Sequence, residues 1–289
     1  MGNEKINGIT LIQAGHLSTN PLQKGIIQTI AKESAVLEVL PFIDIQGNSL
    51  GYIQETDTGE VGFRDVNETY NHSNPTNVRK AEDLTRLGST VLVDRFIHTT
   101  QNINDVRATA TEAKAKAIAN EFTRTFFKGD TSIDPLSFDG LDKRVTDKQV
   151  LDAQGFQLHT GLLHHLLDKV EGGADIIFMN KRTRRKLTAI FASQSAYVEM
   201  SQDAFGRPIQ KFADVRIAVV DDIYLEDDSI YAVKFGMDGG IQGIQAGGLQ
   251  AVDNGLRGVI YETLIEWYVS ILDGNPNGFA RLKGFDLNA

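Results

Sequence analysis

The sequence predicts an α+β protein, and three stretches carry that expectation. Residues 104–128 place small and apolar side chains at spacings of three and four, the pattern of one face of a long helix. Residues 259–271 alternate, with Val259, Tyr261, Ile265, Trp267, Val269 and Ile271 on one side and Glu262, Glu266 and Ser270 on the other. Period two over that length predicts a long half-buried strand. From residue 54 to 86 the large apolar residues thin to Val61, Phe63, Val66, Tyr70, Val78 and Leu84, among charges and turn formers such as Asp57-Thr58-Gly59 and Asn71-His72-Ser73-Asn74-Pro75.

From the N-terminus, Asn20-Pro21 predicts a helix cap followed by proline in the first turn. Leu22, Ile26, Ile27 and Ile30 then share one face. Residues 36–45 are expected as a buried strand broken by Pro41. Residues 50–53 and 89–97 alternate as strands, so the polar stretch between them is expected to run out from the body as a ribbon and return. A two-stranded ribbon is marginal in water by itself, and a loop this long in a compact domain is either functional or disordered. The excursion 54–86 is expected to be too hydrophilic for its own protomer to hold and to be fixed by adjoining copies. A partnerless surface loop is the plainer alternative.

Asn104 is expected to cap the long helix, with Asp105 in its first turn. Ala108, Thr111, Ala115, Ile118, Phe122 and Phe126 form its stripe, and Gly129 falls where a left-handed C-terminal cap is expected. About 23 helical residues would extend about 35 Å. Beyond residue 150 the expected order is a helix at 158–170, a strand at 175–179, a helix at 181–192 and strands at 215–220 and 230–235. A glycine-rich turn region is expected at 236–248, and Asn254-Gly255 punctuates before the last strand.

The chain has 289 residues, 41% hydrophobic and 23% charged, which is enough to bury a substantial core. It has no cysteine, which excludes disulfides, thiolate chemistry and cysteine-based zinc sites. Residues 1–18 lack the apolar core of a signal peptide, and no run approaches the roughly 20 apolar residues of a membrane span. The formal charge of −9 argues against a sequence-reading DNA-binding module, although packaged nucleic acid brings its own counterions. A soluble, intracellular protein is expected.

Catalytic candidates are weak. His164 and His165 are adjacent on a helix, so their side chains diverge by about 100° and cannot share a metal as an i,i+4 pair does. His159 and His16 have no motif partner. Asp221-Asp222 and Glu226-Asp227-Asp228 lack the order of a calcium-binding loop and are expected as a solvated turn. The run 236–248 contains no GxGxxG, and no GxxxxGK[ST], GxSxG or HExxH occurs. The basic run Lys181, Arg182, Arg184, Arg185 and Lys186 spreads around a helix as a solvated face, with subunit ion pairing or contact with packaged DNA as its functional alternative. No catalytic, cofactor-binding or metal-ligating residue is assigned. An enzyme would require distant groups to converge, for example Asp221, Glu226 and a histidine.

Residues 126–141 read FFKGDTSIDPLSFDGL: a double Phe, Gly-Asp, a polar run with Ile-Asp-Pro, then Asp-Gly-Leu. That order resembles the segment after the spine helix of tailed-phage major capsid proteins, the Hong Kong 97-type fold. The resemblance extends as an order of elements from about residue 21 to the C-terminus. Looser matches are Asn180 before a helix at 183–187, and NGFARL at 277–282 after the final strand. It implies an N-terminal arm and first peripheral strand (1–50), an extended loop (51–90), and a peripheral domain with the spine helix (91–149). An axial domain (150–255) follows, and then a return strand and C-terminus in the peripheral domain (256–289).

The same resemblance implies a non-enzymatic subunit that self-assembles as pentamers and hexamers into an icosahedral shell. Such a shell encloses double-stranded DNA without reading its sequence, needs no cofactor or membrane, and is a virion capsid assembled in the host cytoplasm. Portal and decoration proteins are implied partners. Many members lose a long charged N-terminal scaffolding segment; with none evident here, a processed form or a separate scaffolding protein is expected. Some relatives join a loop lysine to an asparagine by an isopeptide bond. Lys80 lies in the corresponding region, with no identifiable asparagine or acidic catalyst. The alternative is an encapsulin, a bacterial nanocompartment shell of the same fold, although residues 1–33 lack the Arg- and Trp-bearing amphipathic start associated with encapsulins.

Overall fold

The computed structural model describes residues 9–17, 21–57, 62–70, 76–100, 105–193, 199–202, 208–237 and 239–287. The chain begins with β1 (Ile9–Thr10), α1 (Leu11–Leu17) and α2 (Pro21–Glu33). Proline opens α2 at its first position, where a missing N–H costs nothing; the expected cap, Asn20, lies outside the described residues. Ile26, Ile27 and Ile30 are buried as expected, together with Ala31, whereas Leu22 remains at the surface. The strand expected at 36–45 is half wrong. Its first part is a helix, α3 (Ala35–Val39), because Leu37 N donates to Ser34 Oγ at 3.3 Å and so caps it. Only β2 (Pro41–Asp44) is extended.

β3 (Ser49–Asp57) and β4 (Thr76–Asp83) pair antiparallel as a separate two-stranded ribbon. The chain then enters β5 (Thr85–Asp94). The strand expected to continue to 97 gives way to α4 (Arg95–Thr100), whose start is fixed by Phe96 N donating to Asp94 Oδ1 at 2.7 Å.

α5 (Val106–Lys128) has the expected 23 residues. Its cap is Asp105 instead of Asn104, which lies outside the described residues; Arg107 N and Ala108 N donate to Asp105 Oδ1 at 3.0 and 3.1 Å. The buried stripe begins at Thr111, since Ala108 is exposed, and continues through Ala115, Ile118, Phe122 and Phe126. Gly129 does not form a left-handed cap, because its backbone is extended at φ −61° and ψ 137°. Glycine is required there for space: a Cβ would meet Phe138 O at 2.2 Å and Thr125 O at 2.6 Å. Residues 129–140 fold back as a closed loop, with Gly140 N donating to Gly129 O at 2.9 Å. Gly129→Ala is expected to lower the unfolding free energy by about 1–3 kcal/mol through this overpacking. Urea denaturation checks it, and an unchanged midpoint would contradict the steric account.

The remaining elements are α6 (Leu141–Arg144), β6 (Val150–Asp152), α7 (Thr160–Asp168), β7 (Ile176–Asn180), α8 (Lys181–Ser193), β8 (Glu199–Gln202) and β9 (Pro208–Phe212). They continue with β10 (Val215–Val220), β11 (Ser229–Val233), β12 (Ile241–Arg257), β13 (Ile260–Asp273) and β14 (Phe279–Lys283). The glycine-rich 236–248 is a turn only to residue 240, after which it is strand. Gly243 leaves room for the Phe42 ring, where a Cβ would sit 2.4 Å from Cδ1. Gly247 and Gly248, at φ +66° and +65°, form a bulge at the register shift between Ala246 and Leu249. Asn254-Gly255 is a second irregularity inside β12, and the hairpin reverses after Arg257.

Two larger sheets result, in the orders β1-β2-β12-β13-β5 and β6-β14-β11-β7-β10-β9-β8. α5 packs against both. Phe122 lies 6.1 Å from Phe42 and 5.2 Å from Trp267, between ring centroids, while Phe127 lies 5.5 Å from Phe178 and 5.6 Å from Tyr231. The other face of the seven-stranded sheet buries Ile177, Ile217, Ile230 and Leu282 against Leu163 and Leu166 of α7 and Leu187 and Phe191 of α8. The division expected at 255/256 does not coincide with the sheets. β12 pairs along its length with β13 in the five-stranded sheet, and the C-terminal β14 lies between β6 and β11 in the other.

Candidate intersubunit surface

The ribbon has two unlike ends. At its root, the Arg144 guanidinium, with its side chain 8% exposed, donates from Nη1 and Nη2 to Glu82 Oε1 and Oε2 of β4 at 2.7 and 2.9 Å. Nη1 also donates to Asp273 Oδ1 at 2.9 Å, Nη2 to Ile271 O at 3.2 Å, and Nε to Asp139 O at 2.7 Å. Asp273, 4% exposed, further accepts from Tyr52 Oη of β3 at 2.9 Å and Lys80 Nζ of β4 at 3.2 Å. Gln54 Nε2 donates to Asp273 O at 3.1 Å.

Burial works against the charge on Arg144, but the hydrogen bonds and charge of Glu82, with Asp273 behind them, outweigh it and hold the guanidinium above its ordinary pKa. Burial, then the Asp273 carboxylate, pushes the Tyr52 phenol up, so it stays a donor. The expectation that residues 54–86 are not held by their own protomer is therefore corrected at the root. Buried ion pairs bind it there.

The distal part differs. Residues 62–70 are exposed throughout, including Phe63, Val66 and Tyr70. They form a small self-bonded turn: Glu68 N donates to Asp65 O at 3.2 Å, Asn67 takes φ 72°, and the Arg64 guanidinium lies 5.3 Å from the Tyr70 ring centroid. The turn thus displays aromatic and aliphatic side chains outward. The bonds to Asp273 reach as far along the ribbon as Gln54, and β3 continues three residues beyond it to Asp57.

Beside the root lies a cleft of about 530 Å³, between residues 81–86 and loop residues that include Thr131 and Asp139. The loop is clasped by Lys143, which bonds both Asp130 and Asp139, while Thr131 N donates to Asp139 Oδ1 at 2.8 Å. The Lys143 bond, then the Ser132 amide, lowers the Asp130 pKa. Burial raises that of Asp139, but the Thr131 bonds and Lys143 together outweigh it and leave it lowered. Folded values below the unfolded ones mean that this contribution is complete above the ordinary carboxylate pKa of about 3.9 and is lost as pH falls through the depressed values. Thr131 amide protection is expected to hold from about pH 6 down to about pH 4 and to fall only below that; protection already lost between about pH 6 and 5 would rule out the clasp.

The candidates raised by sequence do not converge. The basic helix and the acidic turn neutralise one another instead: Lys181 bonds Asp221 and Arg182 bonds Asp227, each at 2.7 Å. Asn180 Nδ2 donates to Asp227 Oδ1 at 2.5 Å, and Glu226 pairs with Lys128 at 3.1 Å. The acidic turn is solvated as expected and carries surface ion pairs as well. His164 packs on Phe212 with ring centroids 4.8 Å apart, and His159 precedes α7 without a side-chain cap bond. The His16 side chain lies outside the described residues. Among the described residues, no group of three or more metal-ligating side chains is arranged to hold a metal. Sequence reasoning missed Arg144, Glu82 and Asp273, whose one hint is an acidic residue ending the apolar β13.

No protein-family model and no curated protein sequence matches the chain. Solved structures do. The SrpI encapsulin of Synechococcus elongatus superposes with a TM-score of 0.71 at 13% identity over 88% of each chain. The capsid of a native GTA particle gives 0.64 at 11% identity, over 88% of this chain and 91% of that one. A structure from Mycobacterium phage Cain gives 0.64 at 11% identity, over 89% and 91%. With the spine-like α5, the detached ribbon and two sheets in this order, the chain has the Hong Kong 97-type capsid fold.

Proposed function

We propose that this protein is a shell subunit, the major capsid protein of a tailed double-stranded DNA bacteriophage. The observation that carries the reading is the segment 62–70 between the ribbon strands: Phe63, Val66 and Tyr70 are exposed on it, and it makes no core of its own. A neighbouring copy in a closed homo-oligomer would cover them. In this reading the five-stranded sheet with α5 is the peripheral domain and the seven-stranded sheet with α7 and α8 is the axial domain. The ribbon is the extended loop. Pentamers and hexamers build the shell, scaffolding and portal proteins assist it, and the work is mechanical, not catalytic. Electron microscopy of the concentrated protein tests this. Closed particles are expected, and a protein that stays monomeric even with its scaffolding partner would refute it.

The encapsulin reading is favoured by one observation, the higher TM-score of the Synechococcus encapsulin, 0.71 against 0.64 for the phage and GTA particle structures. Particle contents separate the two: packaged DNA supports the capsid, an enclosed enzyme the nanocompartment.

A further inference from the structure

We infer that Arg144 sets the direction in which the ribbon leaves its protomer, by locking β4 to the end of β13 and to the 129–140 loop. The geometry stands on the single protomer; only its consequence for assembly rests on the shell reading above. A guanidinium carries five N–H donors in one rigid plane. Here the donor atoms bond five oxygens on three separate pieces of chain: both carboxylate oxygens of Glu82, Asp273 Oδ1, Ile271 O and Asp139 O. A planar group satisfied in that way leaves the three pieces little freedom to rotate about one another. Lysine, a point charge on a flexible stem, cannot reproduce it.

Packing alone does not fix the angle. On one side of the root, Tyr52 is buried with Ile244 and Leu272. On the other, residues 81–86 border the open cleft, so nothing solid opposes a swing toward it. Asp273 ties the ribbon a second time through Tyr52 and Lys80, and Arg144 holds that carboxylate in place. The ribbon strands are thereby presented in one orientation before they meet a partner, which lowers the ordering cost of association.

The chain has no cysteine, so a spin-label pair can be placed without background. Ile53→Cys on the exposed face of the ribbon and Ala113→Cys on the exposed side of α5 report the ribbon angle by pulsed electron resonance in dilute, unassembled protein. A single narrow distance distribution is expected with Arg144 present. Arg144→Lys, which keeps the charge and loses the fork, is expected to widen it at least twofold while the far-ultraviolet dichroism is unchanged. It should also raise the concentration needed for particle formation about tenfold. Glu82→Gln removes the ribbon-side charge alone and is expected to widen the distribution in the same way; it decides the matter if Arg144→Lys does not fold. A broad distribution in the parent, or equal widths in the variants that fold, overturns the inference. Failure of the parent to form particles bears on the shell reading alone, because the label pair reads single protomers.

Discussion

Arg144→Met is expected to lower the unfolding free energy by about 3 kcal/mol, the low end of the range for removing one partner from a buried ion pair. Two carboxylates lose their main donor: Asp273, almost fully enclosed, and Glu82, partly enclosed. Asp273 keeps Tyr52 and Lys80, which holds the loss below the upper end of that range. Lys80→Met should cost less than about 1 kcal/mol, since its side chain is 38% exposed and its charge is already solvated. Adding Glu82→Leu to Arg144→Met should recover part of the loss, because an apolar pair in place of a buried ion pair is neutral or stabilising. Urea unfolding of the single and double variants forms a cycle that measures the coupling. A loss below about 1 kcal/mol for Arg144→Met would mean that the hub contributes little to stability.

The parts of this fold that sequence made legible are those where burial is one-sided over a long run. α5 and the first part of β13 show their periods because one face of each meets a core and the other does not, whereas from Val269 to Asp273 β13 is buried on both faces, Ser270 included. The ribbon was legible by what it lacks, since residues with so little apolar surface cannot form a core of their own. Residues 36–39 were misread because Val36 and Leu37 are both fully buried, so the run is apolar whatever its backbone does; Ser34 as a cap decides for helix. The glycines after residue 240 were misread as a turn because their role is tertiary. Gly243 makes way for a ring 201 residues earlier in sequence, and the strand exists because β13 pairs with it. The root hub left no local trace: Arg144 lies 62 residues from Glu82 and 129 from Asp273, and each is an ordinary charged residue in its own neighbourhood. The pairing of the basic helix with the acidic turn spans 40 and 45 residues and was hidden for the same reason.

A triple variant, Phe63→Ser, Val66→Ser and Tyr70→Ser, is expected to leave the protomer as stable as before and to abolish assembly. Stability should hold within about 0.5 kcal/mol, because Phe63 and Val66 are almost fully exposed, Tyr70 meets Arg64 within the same exposed turn, and solvent-facing changes of this kind have small effects. The Asp65–Glu68 turn and its bonds are untouched, so the tip keeps its backbone shape. Assembly is different. Aromatic anchors that become buried at an interface are each worth about 2 kcal/mol or more, and 1.4 kcal/mol is a factor of ten in affinity. Losing even one such anchor would weaken each ribbon contact about 30-fold, and a closed shell repeats that contact at every subunit. Light scattering across a concentration series, with microscopy of the end point, reads the result. Particles forming at the parent's concentration would show that the tip is not what neighbouring copies hold. Particles lost together with protomer stability would show that these side chains serve the fold of their own chain instead of a neighbour's.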